Sequence, residues 1–199
     1  MGDSSDQVDA GLIERAEQAV SRRLSGHRLE HSFGVARTAR HLAEVYGGCE
    51  ASHAYLAGLL HDWDKKVPKD RIVARARELG VELSDEMVAT PSVLHGVTAV
   101  AALPREFGPV PDDVLRAIAR HTVPVADMTP LDEIVYVSDK IEPGRPAEHT
   151  KAVRDLVGDK SLHEVYLATF ASSIVWLFET GRPVFLEAVR VWNQVCEGR

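Results

Sequence analysis

Glycines and prolines cut this chain into a succession of helical stretches, and nothing between them supplies a sheet. Stops stand at Gly47-Gly48, Pro68, Gly80, Pro91, Gly108-Pro109, Pro124, Pro143-Gly144 and Gly181. The intervening segments are rich in Ala, Leu, Glu and Arg, which are good helix formers. Helices are expected over roughly 8–24, 28–47, 51–63, 69–79, 92–107, 112–121, 130–141, 148–157, 161–180 and 183–197. No convincing run alternates with period two between turn signals; EIVYVSD, Glu133 to Asp139, is the one stretch that could pass for a strand. The expectation is a single all-α domain over 8–199, a helical bundle with a C-terminal helical extension. Residues 1–7 are polar and are expected to be disordered.

At 199 residues the chain is long enough to bury a sizeable core and long for a simple binding module. Its formal net charge of −7 argues against non-specific binding to nucleic acid or an anionic membrane surface. A small phosphorylated substrate needs only a local basic patch or a metal, so it stays open. Cys49 and Cys196 form no CxxC pair, which favours a reducing cytoplasm over a disulfide framework. The apolar stretches are too short to span a bilayer, and the acidic start is not a signal peptide.

Against that background, several ionisable residues stand on the wrong face. Steps of three and four follow one side of a helix. His31 leads to Val35, Ala39 and Leu42 on an apolar stripe. His61 follows Ala54, Ala57 and Gly58, residues small enough for another helix to approach closely. His95 leads to Ala99 and Ala102, His121 follows Val114 and Ile118, and Asp139 follows Leu131 and Val135. Asp62 adjoins His61. Burying one such group without a partner costs about 2–7 kcal/mol when neutral and far more for a carboxylate. A set of them would exceed a total stability of about 5–15 kcal/mol unless they satisfied one another. Imidazoles and carboxylates together are metal ligands, and a shared divalent ion makes one site of them all. His41, His163, His27, His53 and His149 lie on polar faces, near helix starts or in loops, and are read as structural or solvent-exposed.

The order His, His-Asp, His, His, Asp resembles the HD-domain metal-dependent phosphohydrolases. In detail it resembles their YqeK-type branch, the symmetrical bis(5′-nucleosyl)-tetraphosphatases. The segments that carry the resemblance are RLEHSFGVARTARHLAEVYG (Arg28 to Gly47), AGLLHDWDKKVP (Ala57 to Pro68), LHG (Leu94 to Gly96), AIARHT (Ala117 to Thr122) and IVYVSDKIEPGR (Ile134 to Arg145). They occupy a motif-bearing core of about 28–146, and the closing Asp139 to Arg145 is their most distinctive part. Asp64 departs from the pattern, since a small residue usually separates the HD pair from the lysine, and it is expected to set a carboxylate beside the phosphate site. Pro124 stands where a glycine is usual and removes an N–H.

The resemblance implies an HD-type helical bundle that hydrolyses diadenosine tetraphosphate symmetrically to two ADP with a metal-activated water. It implies His31, His61, Asp62 and Asp139 as the principal metal ligands. His95 and His121 would complete a second metal site or contact phosphate. Iron is the first expectation for the one or two ions, with manganese or another divalent ion as the alternative. Asp62, Lys65 and His121 are the implied catalytic residues. Lys65, His95, His121 and Arg145 are the implied substrate contacts, with lysine offering a point charge and arginine a two-pronged fork. The proton donor to the leaving group stays open between His121 and a metal-held water. The implied partner is a dinucleoside polyphosphate, and a homodimer follows from the family's habit alone. The rival readings are an HD phosphohydrolase for another nucleotide, whose products would differ, and a non-catalytic nucleotide-binding regulator, which would show no metal-dependent turnover.

Overall fold

In the computed structural model, which describes residues 8–197, the chain is helical along most of its length. The elements are α1 Ala10–Arg23, α2 His27–Tyr46, α3 Ala51–Leu60, α4 Lys69–Leu79, α5 Asp85–Ala89, a 3-10 turn Pro91–Val93, α6 Leu94–Phe107, α7 Asp112–Arg120, α8 Pro130–Ile141, α9 Ala147–Arg154, α10 Leu162–Glu179 and α11 Leu186–Glu197. Among the described residues the only β-type pairing is an isolated bridge between Val157 and Lys160. The expected disorder of residues 1–7 lies outside the described residues.

The stretch that could have been a strand is the central helix. EIVYVSD lies within α8, whose residues from Leu131 to Asp139 are all buried. A helix surrounded by others needs apolar residues on every side, so its β-branched run carries no helical stripe. Helix α8 touches α2, α3, α7 and α10. Its start is fixed by a capping box in which the Thr129 side chain accepts from the Asp132 N–H while Asp132 accepts from the Thr129 N–H. Asp132 is fully buried and also accepts from Arg120 Nη1 at 2.8 Å, which ties the end of α7 to the start of α8.

Helices α2 and α3 are joined by a short Gly47–Glu50 connection and pack along one another. At Gly58 an added Cβ would stand 3.0 Å from Ala36 Cα and from the Val35 carbonyl, so the small-residue face of α3 does admit a close neighbour. Leu59 and Leu60 are buried beside it, each contributing about 1.5–3 kcal/mol of burial.

Some expected boundaries shift, and one short helix is added. Helix α3 stops at Leu60 rather than 63, and the chain continues in i→i+3 turns, with Trp63 N–H to Leu60 O, Lys65 N–H to Asp62 O and Val67 N–H to Asp64 O. Helix α9 ends at Arg154, before a turn-rich segment that holds the 157–160 bridge. Helix α5 falls in a stretch expected to be a connection; its five residues are too few to show a period, although Ser84 caps it at the Met87 N–H. In the C-terminal extension, the first half of α10 packs onto the core, with Tyr166 and Phe170 buried against Tyr136 of α8. No helix among the described residues is long and apolar enough to cross a membrane.

Candidate metal centre

Five helices end or begin around one point. His31 comes from the first turns of α2, His61 and Asp62 from the turn closing α3, His95 from the start of α6, His121 from the end of α7, and Asp139 from the last turn of α8. All six residues singled out in the sequence meet there, each at most 9% exposed. Ring centroids separate His31 from His61 by 5.2 Å, His61 from His121 by 5.0 Å and His121 from His95 by 4.9 Å. The close approach of α6 and α7 depends on Gly96, where a Cβ would stand 2.9 Å from the Ile118 carbonyl and 3.3 Å from the His121 ring.

Three of the imidazoles share one device. The Nδ1–H of His61 donates to Gly58 O at 2.7 Å, that of His95 to Ser92 O at 2.9 Å and that of His121 to Ile118 O at 2.6 Å. Each bond assigns the proton to Nδ1 and leaves Nε2 as a bare lone pair facing inward. The Nε2 atoms of His95 and His121 lie only 3.0 Å apart, and that of His61 is fully buried with no hydrogen-bond partner. Carboxylate oxygens stand opposite them. Asp62 Oδ1 is 3.2 Å from His95 Nε2 and 3.6 Å from His61 Nε2, while Asp139 Oδ1 is 3.2 Å from His31 Nε2 and 3.7 Å from His61 Nε2. Lone pairs turned on lone pairs repel unless a cation lies between them.

That arrangement fits a metal ion. The donor atoms of His31, His61 and Asp139 lie within 4.8 Å of one another, and so do those of His61, Asp62 and His121. His61 belongs to both groups. Histidines 61 and 121 sit at the carboxyl ends of α3 and α7, where the helix dipoles also favour a cation.

The ionisation states agree with this. Burial opposes the charge on Asp62, but His61 and then His121, His95 and Lys65 outweigh it and hold the carboxyl well below its usual range. Burial likewise opposes Asp139, and Lys140, His31, His61 and Arg145 outweigh it. Burial dominates at His61 and lowers its pKa, and it pushes His121 down to about 3. At His31 burial opposes the charge, but Asp139 and then Glu142 outweigh it and raise the pKa above its ordinary value. Two carboxylates beside the neutral rings of His61 and His121 make a set that accepts a cation.

Cations form the rim. Lys65 Nζ donates to His95 Nε2 at 3.1 Å and lies 3.6 Å from Asp62 Oδ1. Arg145 donates through Nη2 to Asp139 Oδ1 at 2.7 Å and through Nε to the Asp139 carbonyl at 3.0 Å. Both side chains are about two-fifths exposed, 41% and 38%, so each keeps a solvent-facing side for a substrate.

Asp64 does not stand beside the phosphate site as expected. It is fully buried and both its oxygens are taken, by Arg75 in a two-point bridge and by Arg23 at 3.0 Å. Pro124 is buried in the loop after His121. Among the histidines set aside, His27 and His41 are exposed, and His163 is exposed and bonded to Glu133 at 2.6 Å. His53 is buried, with Nδ1 2.7 Å from Asp113 Oδ2, so it joins α3 to α7. His149 lies in α9.

Two residues were missed as participants. Thr122 Oγ1 is 3.0 Å from His121 Nε2 and 3.1 Å from His95 Nε2. Glu142 is 2% exposed and lies 3.1 Å from His31 Nδ1 through Oε1. A step of three from Asp139 reaches Glu142, and that spacing was the available signal.

Comparison with known proteins agrees with this geometry. The HD domain family pattern matches residues 28–144. Over 188 residues the chain is 31% identical to the symmetrical bis(5′-nucleosyl)-tetraphosphatase of Bacillus subtilis (strain 168), covering 93% of this chain and 98% of that protein. It is 34% identical over 160 residues to the enzyme of the same name from Staphylococcus aureus, covering 77% and 80%. A crystal structure from Clostridium acetobutylicum, described as a predicted HD superfamily hydrolase involved in NAD metabolism, superposes with a TM-score of 0.85 at 29% identity, covering 94% of this chain and 98% of that one.

Proposed function

Because the chain belongs to the HD domain family, in its branch of symmetrical bis(5′-nucleosyl)-tetraphosphatases, we propose that this site cleaves diadenosine tetraphosphate into two ADP. The enzyme is a hydrolase acting on a phosphoric anhydride. The observation that carries the assignment to this site is the convergence of His31, His61, Asp62, His95, His121 and Asp139 around a buried, unbonded His61 Nε2.

HD domains bind divalent metals, and this cluster can hold one. His31, His61, Asp62 and Asp139 are the principal ligands in our reading, with His95 and His121 extending the set to a second ion. A mixed imidazole and carboxylate set suits first-row divalent ions, and the family resemblance puts iron first, with manganese as the alternative. Such an ion would draw charge from the phosphate oxygens and acidify a neighbouring water.

The chain's own residues do the rest. Lys65, beside Asp62, and Arg145, beside Asp139, are the cations that meet the polyphosphate. They offset charge on the phosphates and on the diphosphate that departs, and the fork of Arg145 orients two oxygens at once. His121 serves as a metal ligand rather than a proton donor. Its Nδ1–H is committed to Ile118 O, and its depressed pKa leaves Nε2 unprotonated at neutral pH.

The test is to measure bound metal in the purified protein and to separate the products from diadenosine tetraphosphate, with Asp62→Ala in parallel. ADP as the only nucleotide product, formed by the wild type and lost in the variant, is the expected result. ATP plus AMP, or equal turnover by Asp62→Ala, overturns the proposal.

A further inference from the structure

Glu142 carries no part in the chemistry proposed so far, yet it is one of the most enclosed carboxylates in the protein, at 2% exposure. It follows α8 directly, in the extended residue that ends the helix. Oε2 accepts the Gly144 N–H at 2.6 Å, and Oε1 lies 3.1 Å from His31 Nδ1. Its carbonyl accepts from Arg154 Nη2 at 2.6 Å, and the same guanidinium donates to Ile141 O and Arg145 O. The turn carrying Glu142 is therefore held from α9.

Space for the carboxylate is kept on α2. Gly34 is one turn beyond His31, and a Cβ there would come 2.7 Å from Glu142 Oε2. His31 also differs from the other three site histidines. Each of those donates Nδ1–H to a main-chain carbonyl three residues back in its own turn, whereas His31 has a carboxylate from another helix in that role.

We propose that Glu142 is a positioning residue that holds His31 in its Nδ1–H form and so keeps Nε2 bare for the divalent ion. The proposal rests on the reading of His31 as a metal ligand. A ligand histidine whose second nitrogen donates to a carboxylate has a fixed ring orientation and a more basic ligand nitrogen. The Glu142 carboxylate can do this because it is acceptor-only, so both its donors, His31 Nδ1–H and Gly144 N–H, find an oxygen.

Glutamine cannot reproduce that. Its amide offers one oxygen and one NH2 group. If the oxygen stays with Gly144, the NH2 faces His31 Nδ1, which must then accept, and the ring proton moves to Nε2, where it blocks the ligand atom. If the oxygen turns to His31, the NH2 meets the Gly144 N–H and the turn is strained.

The experiment uses Zn2+ as a diamagnetic probe. Metal-stripped wild type and Glu142→Gln are titrated with Zn2+, and the imidazole 15N–1H couplings of His31 are recorded in the loaded wild type. The expected results are an Nδ1-bound proton on His31 in the wild type and a Zn2+ affinity about 10–100-fold weaker in Glu142→Gln. An Nε2-bound proton in the loaded wild type overturns the proposal even if Glu142→Gln does not fold. Unchanged Zn2+ affinity in a folded Glu142→Gln also overturns it, since a residue that only braces the fold would lower the melting temperature and leave affinity alone. Failure of the wild type itself to bind Zn2+ removes the metal reading beneath it, an outcome separate from both.

Discussion

Arg75 grips Asp64 at two points, Nε to Oδ2 at 2.6 Å and Nη2 to Oδ1 at 3.0 Å, two residues beyond Asp62. Arg23, from the end of α1, joins the same carboxylate, donates to the Trp63 carbonyl at 2.8 Å and lies over the Trp63 ring at 4.6 Å. The turn bearing His61 and Asp62 is thus fastened to α1 and α4 from the side away from the metal centre. Breaking a buried pair costs about 3–5 kcal/mol. Both arginines are about one-third exposed and can rehydrate, which lowers the figure. Asp64→Ala is expected to lose about 2–3 kcal/mol in denaturant unfolding. Below its melting range it should still give ADP as the product, because Asp64 does not face the substrate.

How legible this was in the sequence depends on range. Inward-facing His31, His61, His95, His121 and Asp139 could be read from helical steps of three and four, because a stripe is a local pattern. The step of three from Asp139 points to Glu142, but neither its partner nor that of Asp64 could be read in the same way. Their partners, His31 and Arg75, are 111 and 11 residues distant, and a carboxylate alone does not say which cation or ring it will meet. The α8 segment shows the opposite limit: a helix buried on all sides has no stripe, so β-branched residues imitate a strand. His53 looked peripheral because it lies near a helix start, and only the packing of α3 on α7 buries it against Asp113.

The His53–Asp113 pair sets an acid limit on stability. Burial raises the Asp113 pKa, but the hydrogen bond and charge of His53, with the Val114 N–H, outweigh it and leave the carboxyl below its ordinary 3.8. A carboxyl lowered in the folded state adds stability that is fully present above the unfolded pKa and is lost as pH falls through the folded one. Asp113→Asn should therefore flatten the acid limb of the stability curve below about pH 4. Urea midpoints measured across that range check it; parallel curves for wild type and variant would refute it.

Lys65 and Arg145 should separate in kinetics. Each hydrogen bond to a charged phosphate is worth about 1.5–3 kcal/mol, or about 10–150-fold in kcat/KM. Lys65→Ala should fall within that range. Arg145→Lys should lose nearly as much as Arg145→Ala, because an ammonium cannot keep Asp139 Oδ1, the Asp139 carbonyl and a phosphate at once. Steady-state rates on diadenosine tetraphosphate decide this, and full activity in Arg145→Lys would show that only charge matters there.

Metal removal should act on the fold as well as on turnover. Stripped of cations, the centre sets His61 Nε2 among Asp62 Oδ1 and Asp139 Oδ1 with no donor between them, and brings His95 Nε2 to 3.0 Å from His121 Nε2. A ligand that binds only the folded state adds about 2.7 kcal/mol at a free concentration of 100 times its Kd. For a chain of this size that corresponds to about 5–10 °C in Tm. Dialysis against a chelator should therefore abolish hydrolysis and lower Tm by that amount, and Fe2+ or Mn2+ should restore both. In Asp62→Ala the same additions should recover less of the Tm and none of the hydrolysis, because one of the two opposing carboxylates is gone. Calorimetry of the stripped and reloaded proteins reads the first effect independently of the second, and an unchanged Tm on chelation would mean that this cluster is stabilised without a cation.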